Sequence, residues 1–361
     1  MNISHTIFVI FLWLSFTTQA EFLLQAEPKI SGEIQVNSAD LCEVANKTKH
    51  YIQAFPQDEF AVHAGNIIEG INLERVVKTL NFLCQSPDKA IFTQEYLLKN
   101  FDFYRWFPDK KQANALAAQS ANTVKKRLLT NIPEQQIFIT KYYTKLLNAS
   151  DEPTEEFNQA LYALPYDEKG LTLEQADKNK QNLTRYQLTR QQIIKGALQE
   201  NDLAKPLIWL TEEGLHDVLL QGTGVVDIAG KRRYFNVHRN NGIAYDYTLG
   251  KREQSRYWYF AEVPSILGYG QTLADKIAIK PEVTFAGNVK QLGLGKLFLI
   301  NYQVGDKSIN NIGVLADQGG AFDNNLFQLD FLKGSYFGWK DYYQANKQLP
   351  DYANTWLMLL K

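Results

Sequence analysis

Apolar residues fall along this chain in three textures. Ile7 to Phe16 is an unbroken apolar run at the N-terminus. From about Ser38 to Arg127 the pattern is helical. Val76, Val77, Leu80 and Leu83 recur at three- and four-residue steps, and Thr93 to Phe101 and Lys111 to Leu129 have the same character, with turn residues between them. From Gln136 onward the apolar runs are short and β-like: Ile137–Tyr143, Asp217–Val226, Arg232–Val237, Arg256–Val263, Lys276–Ile279, Lys296–Val304, Ile312–Ala316 and Phe327–Leu332. Gly, Asn and Asp turns separate them, which predicts barrel-like β domains rather than βαβ units. One helix interrupts the series over Arg190 to Gln199, with Thr189 as its N-cap and Gly196 as a defect inside it. Asp151 to Asn182 is polar and charged, the pattern of a long surface excursion. No internal repeat or low-complexity tract is present.

The first run has the length of a signal-peptide core and is too short to span a bilayer as a mature helix. Thr17, Thr18, Gln19 and Ala20 follow it, so cleavage is expected after Ala20, although His5 is the only basic side chain ahead of the run. No cysteine lies near that site, so the lipobox of a lipoprotein is absent. The mature protein is expected to be periplasmic or secreted, without stable membrane insertion, and a monomer. Cys42 and Cys84 are the only cysteines; in an oxidising compartment an even pair reads as a disulfide, with two buried thiols as the alternative.

The 361 residues carry a net charge of −1, which leaves room for two domains with real cores and gives no field for steering onto nucleic acid. Aromatic residues make up 13% of the chain. A sugar-binding cleft would use such residues, although cores and sheet faces claim most of them. His50, His63, His216 and His238 form no metal-ligand spacing, and there is no nucleophile elbow or P-loop. Neither a metal nor an organic cofactor is expected. Carboxylate acid–base chemistry is the main enzymatic option left.

The carboxylate that stands out is Asp317. It ends the apolar strand Ile312–Ala316 and is followed by Gln318, Gly319, Gly320, Ala321 and Phe322. Paired glycines behind a strand-end carboxylate let a bulky substrate approach the backbone. Apolar flanks desolvate the acid and raise its pKa, as a general acid working near neutrality requires. The plainer reading is an aspartate capping a turn. Asp330 lies in the middle of the run Phe327–Leu332, where Asp is disfavoured, so it is either edge-exposed or has polar work inside the barrel.

These residues carry a family resemblance. Asp317-Gln318-Gly319-Gly320-Ala321-Phe322, Asp330-Phe331, Gly334 and Trp356 to Leu360 resemble the C-terminal end of MltA-type lytic transglycosylases. Upstream, in the family's order, come Lys141-Tyr142-Tyr143-Thr144, Tyr162 to Pro165, and Leu188 to Ile193. They are followed by Leu220-Gln221-Gly222-Thr223-Gly224, Asn240 to Tyr245, Tyr259-Phe260 and Lys276 to Pro281. The similarity spans about Phe138 to Lys361. The chain departs from the pattern at Lys141 and Lys145, at Val237-His238-Arg239, at Gln318 and Phe322, and in a longer loop to Asp330.

The resemblance implies a mainly β (α+β) fold with N-terminal helices. A double-psi β-barrel domain would be built from residues 21–140 and 263–361, with a smaller β domain, 141–262, inserted and a groove between the two. It implies a lytic transglycosylase cleaving the MurNAc–GlcNAc β-1,4 bond of peptidoglycan glycan strands, with Asp317 acting as acid and then base and 1,6-anhydro-muramic acid as product. Tyr143, Thr144, Gln221, Gly222, Asn241, Gly242, Gly319, Gly320 and Asp330 are the expected substrate contacts. The alternatives are an inverting hydrolase using Asp317 with Asp330, and a peptidoglycan-binding protein without turnover.

Overall fold

The run Ile309–Ala316 is buried on both faces, and that pattern belongs to a strand with a core on each side rather than to a sheet edge. In the computed structural model, which describes residues 20–65, 67–68, 70–85, 92–319, 322 and 325–361, it is the middle of strand Lys307–Asp317. The apolar run Ile7–Phe16 and its expected role as a leader lie outside the described residues. On one side of this strand is the interior of a closed barrel; on the other, helix Ser38–Ala54 packs across it. That helix is capped by Asn37, whose side chain accepts from the amides of Ala39 and Asp40 at 3.1 Å each. It buries Leu41, Val44, Ala45, Thr48, Tyr51 and Ile52, one face at helical spacing.

The barrel has six strands. Around it run Tyr352–Leu360, Leu297–Val304, Lys307–Asp317, Thr284–Ala286, Gln328–Tyr336 and Ile137–Leu147, and the last pairs back onto the first through Tyr352 and Phe138. Thr284–Ala286 lies parallel to Lys307–Asp317, and Gln328–Tyr336 parallel to Ile137–Leu147; the other pairs are antiparallel. This is the closed, mixed barrel that the double-psi expectation required. Closure removes free edges from the central sheet, and Leu315, Phe285, Phe298 and Phe331 share one face and pack together.

Ile137–Leu147 does not stop at the barrel. Its last residues pair in parallel with Thr223–Ile228, which continues through Lys231–Asn240 to Trp258–Val263. With a three-stranded sheet of Ala149–Ser150, Ala204–Leu210 and Gln159–Pro165, these strands enclose a second core around Leu161, Trp209, Leu219, Phe235 and Tyr259. One strand therefore belongs to two cores.

Several sequence expectations are corrected here. Asp151–Asn182 is not a surface excursion, because it contributes strand Gln159–Pro165 and helix Leu173–Lys178, and Leu161, Tyr162 and Ala176 are buried. The first half of the run Asp217–Val226 is helical: Thr211 caps helix Glu212–Gln221, and strand begins only at Thr223. Phe101–Phe107, within the stretch read as helical, is a strand paired with Tyr352–Leu360. The helix expected over Arg190–Gln199 breaks at Gly196, whose φ is +100°.

Cys42 and Cys84 are joined in a disulfide that ties helix Ser38–Ala54 to the end of helix Leu73–Phe82. The bridge spans 42 residues, so the chain-entropy argument gives it about 4 kcal/mol. The double variant Cys42→Ala/Cys84→Ala is expected to lose stability on that scale in urea unfolding. An unchanged midpoint would show that the link does not constrain the unfolded chain.

Candidate functional site

The strand Thr284–Ala286 sits between the strands that carry the two singled-out carboxylates. Ala286 is opposite Asp317 on one side and opposite Asp330 on the other, and Asp330 is in turn opposite Thr140. Residues directly opposite in neighbouring strands share a face. Asp317, Ala286, Asp330 and Thr140 therefore form one row across the barrel wall, with the two aspartate Cα atoms two strand spacings apart, about 10 Å. The neighbouring row, Leu315, Phe285 and Phe331, faces the core, where the two phenylalanine rings stack at 4.8 Å.

A bulge sets this row. The ladder pairs Phe285 with Leu315 but Ala286 with Asp317, so Ala316 is the extra residue. Without it Ala316 would face Ala286 and Asp317 would point the other way.

Tyr142 is two residues beyond Thr140 on the same strand and so shares its face. Its hydroxyl donates to Asp317 Oδ2 at 2.8 Å, and the Gln318 amide donates to Oδ1 at 2.8 Å. Burial pushes the Asp317 carboxyl up to about 6, against the opposing pull of the Tyr142 hydrogen bond, the Gln318 amide and the nearby Lys276 ammonium. Burial likewise raises Asp330 to about 7; the Thr140 hydroxyl opposes the shift and the Asp317 charge adds to it. Asp330 Oδ1 has no hydrogen-bond partner among the described residues. The Tyr142 hydroxyl is raised well above its ordinary range, first by burial and then by Asp317, so it stays a donor. Burial lowers the Lys276 ammonium, with Asp317 opposing that shift, and its Nζ donates to Asn236 Oδ1 at 3.3 Å.

Asp317 opens onto a cleft of about 350 Å³ between the two cores. The inserted strands supply Gln221, Gly222, Thr223 and Asn236 to one wall. The hairpin formed by Ile266–Leu267 and Ala278–Ile279 supplies Gly268, Tyr269 and Lys276 to another. Gly268 passes so close to the aspartate strand that a Cβ there would meet the Ala316 carbonyl oxygen at 2.6 Å. The hairpin is also tied to helix Ser38–Ala54, since Tyr269 and Tyr51 both donate to the buried carboxylate of Asp58, at 3.0 and 2.8 Å.

Of the expected site residues, Asp317, Gln221, Gly222 and Gly319 come together on this cleft. Asp330 stands in the wall row beside it. Gly320 lies outside the described residues. Tyr143, Thr144 and the Asn241–Gly242 loop, expected to face the groove, are not among the residues that line this cleft. Tyr143 follows Tyr142 and points to the opposite face, where it stacks on Tyr342 at 4.6 Å. Thr144 is buried against the Ser335 hydroxyl at 2.8 Å. Asn241 is buried, and its amide is used within the inserted region, donating to Leu188 and Ser255 carbonyls and accepting from the Tyr257 amide. Gly242 lies against the Tyr186 ring. Sequence reasoning assigned no role to Tyr142, Lys276, Asn236 or Gly268. The one available signal was that adjacent strand residues cannot both face one acid, so only one tyrosine of the pair Tyr142-Tyr143 reaches Asp317.

Residues 138–252 match the family profile described as "MltA: MltA specific insert domain". No curated protein matches the chain by sequence. Among solved structures, Escherichia coli MltA with bound chitohexaose is similar at a TM-score of 0.55 and 14% identity, over 94% of each chain. MltA from Neisseria gonorrhoeae is similar at 0.55 and 15% identity, over 94% of this chain and 92% of that one. A membrane-bound lytic murein transglycosylase from Agrobacterium tumefaciens gives 0.52 and 14%, over 89% and 92%. The chain has the MltA fold, insert included.

The raised carboxyls make a stability prediction. A group whose folded pKa is above its unfolded value binds more protons in the folded state, so its contribution falls as pH rises between the two. For Asp317 that window runs from about 4 to about 6. Asp317→Asn is therefore expected to gain thermal stability relative to the parent as pH rises from 4 to 7. A difference that is constant across that range would rule out the burial account of its pKa.

Proposed function

We propose that this MltA-type chain is a lytic transglycosylase that cleaves the MurNAc–GlcNAc β-1,4 bond of peptidoglycan, with Asp317 acting first as acid and then as base. The observation that carries the reading is Asp317 itself. It is a desolvated carboxyl with a pKa of about 6, it opens onto the cleft, and it is the only carboxylate lining that cleft among the described residues. The relative bound to chitohexaose supports a β-linked glycan as the occupant of such a cleft in this fold.

Protonated Asp317 gives its proton to the glycosidic oxygen, and the bond from that oxygen to muramyl C1 breaks with oxocarbenium character. The carboxylate left behind is held by the Tyr142 hydroxyl and the Gln318 amide and faces the Lys276 ammonium. It then removes the proton of the muramyl 6-hydroxyl as O6 closes on C1. The product is the 1,6-anhydro sugar, and Asp317 ends protonated as it began. No water enters. An intramolecular nucleophile has a high effective molarity, so no second carboxylate is needed to hold water. Tyr142 is a positioning residue: it fixes one oxygen of the acid and favours its charged form. Periplasmic or secreted placement belongs to the same proposal, and the Cys42–Cys84 bridge supports an oxidising compartment.

A second reading, an inverting hydrolase, is favoured by one observation. Asp330 has a raised pKa of about 7, an oxygen without a hydrogen-bond partner among the described residues, and a place in the same wall row. A carboxyl pair with room for water is the hydrolytic arrangement.

Product mass separates the two. Digestion of purified sacculi is expected to give muropeptides ending in 1,6-anhydro-muramic acid, lighter by one water than reducing-end products. Asp317→Asn is expected to lower turnover by at least about 100-fold, the scale of a positioned acid–base group, while Asp330→Asn costs far less. Reducing-end products together with an inactive Asp330→Asn variant would establish the hydrolase. Absence of turnover by the unsubstituted protein would leave a wall-binding protein.

Tyr142→Phe supplies a finer check. Without the donated hydrogen bond the carboxylate is less favoured, so the Asp317 midpoint is expected to move above about 6, with the falling limb of the pH–rate profile moving the same way. A limb that stays in place would separate Tyr142 from the acid's titration.

A further inference from the structure

Behind the hairpin that walls the cleft lies a second cavity of about 710 Å³, twice the size of the first. The two are adjacent and share Leu267 and Lys276 in their walls. The far wall is helix Ser38–Ala54, which presents Lys47, His50, Tyr51, Ala54 and Phe55. A third side is closed by His238. This histidine is itself the product of a bulge, because the ladder pairs Tyr259 with Arg239 and then Phe260 with Val237, passing over it. A bulge of this kind re-aims a side chain.

The chemistry of the lining is one-sided. Lys47 and Lys276 bring positive charge, and His50 and His238 bring two further nitrogen bases. The one carboxylate among the lining residues, Asp275, already accepts from the Thr272 hydroxyl at 2.5 Å. Lys47, His50 and His238 make no side-chain hydrogen bond or ion pair among the described residues, so their donors are unspent. Beneath them Tyr51, Phe55, Leu273 and Ile277 give an apolar floor. A short peptide with several free carboxylates and aliphatic side chains matches such a lining; a stripped glycan, with one lactyl carboxylate on each muramyl sugar and no aliphatic side chains, uses the cations only in part and leaves the apolar floor empty.

We propose that this cavity receives the acidic peptide stem carried by the muramyl residue, while the glycan lies in the cleft at Asp317. The inference rests on the transglycosylase reading. The lactyl ether that bears the stem is on the sugar next to the scissile bond, so the stem leaves the cleft close to the reacting carbon. Lys276 lines both cavities and is the cation that they share. Lys47 and His238, both exposed and absent from the cleft at Asp317, are the specificity-determining contacts.

Binding tests this without turnover. Muramyl glycan fragments with intact stems, and the same fragments stripped of stems by an amidase, are titrated against the full chain carrying Asp317→Asn. Stem-bearing fragments are expected to bind roughly tenfold tighter, the scale of a few partly exposed charge contacts. Adding Lys47→Ala and His238→Ala is expected to erase that advantage and to leave affinity for stripped glycan unchanged. Equal affinity for both ligands would overturn the proposal. So would parallel weakening of both by the two substitutions, which would show that the cavity holds sugar rather than peptide. Turnover of sacculi by the unsubstituted protein is scored separately. Stem-dependent binding without any turnover would sink the transglycosylase reading and leave the stem pocket standing; turnover without stem preference would do the reverse.

Discussion

The arrangement depends on strand Ile137–Leu147 serving two sheets at once. Its first half closes the barrel between Tyr352–Leu360 and Gln328–Tyr336, and its last residues start the inserted sheet by pairing with Thr223–Ile228. Two separately folded units joined by flexible linkers would leave the width of a cleft between them to chance. Here a continuous hydrogen-bonded strand crosses from one core to the other, and the same strand carries Tyr142 to Asp317. Register along this strand thus sets the relation of the inserted wall to the barrel wall and the hydrogen bond to the acid together. A one-residue slip would put Tyr143 on the side of the acid and bury Tyr142 against Tyr342.

The acid is held between opposing demands. Removal from water raises its pKa, as the first proton transfer of the proposed reaction would need, and alone it would leave a carboxyl too reluctant to ionise for the second. The Tyr142 hydroxyl, the Gln318 amide and the Lys276 ammonium each pull the other way, and the balance stands at about 6. Asp330 feels this acid in turn: two carboxyls in one row resist being charged together, so the Asp317 charge adds to the burial that raises Asp330 to about 7, and Asp330 is largely protonated when Asp317 begins to ionise. The alanine between them keeps the row free of a bulky neighbour on that face.

Asp317 was legible in the sequence because local chemistry singles it out: an apolar run with β character ends in a carboxylate followed by paired glycines. The helix bearing Val76 and Leu80 was legible for the same reason, as its periodicity is local. What escaped depended on distant pairing. Val218, Leu219 and Leu220 suit a buried strand or a buried helix equally well, and the Thr211 cap upstream decides the matter. Phe101–Phe107 becomes a strand because Tyr352–Leu360 lies beside it, some two hundred and fifty residues away. Tyr142 and Tyr143 are indistinguishable as letters, and only the row through Thr140 and Asp330 says which one faces the acid. Asn241 was expected in the groove from the family resemblance, whereas its amide had a fuller set of partners inside the inserted core.

Lys276 is placed to couple the two functions proposed for the cleft and the larger cavity. It lies on the hairpin between the cavities, it opposes the rise in the Asp317 pKa, and burial makes its own charge costly. A carboxylate arriving from the second cavity would help solvate that ammonium and would compete for its field. The acid would then lose part of the cation that favours its ionised form and would hold its proton to higher pH. Occupancy of the larger cavity would in this way be read at Asp317 as a change in proton affinity, with no movement of the backbone. The hairpin is suited to such coupling because its first arm is held at Gly268, by the close approach to Ala316, and at Tyr269, by the hydrogen bond to Asp58. A rigid partition transmits charge through the side chain it carries, and Lys276 is that side chain.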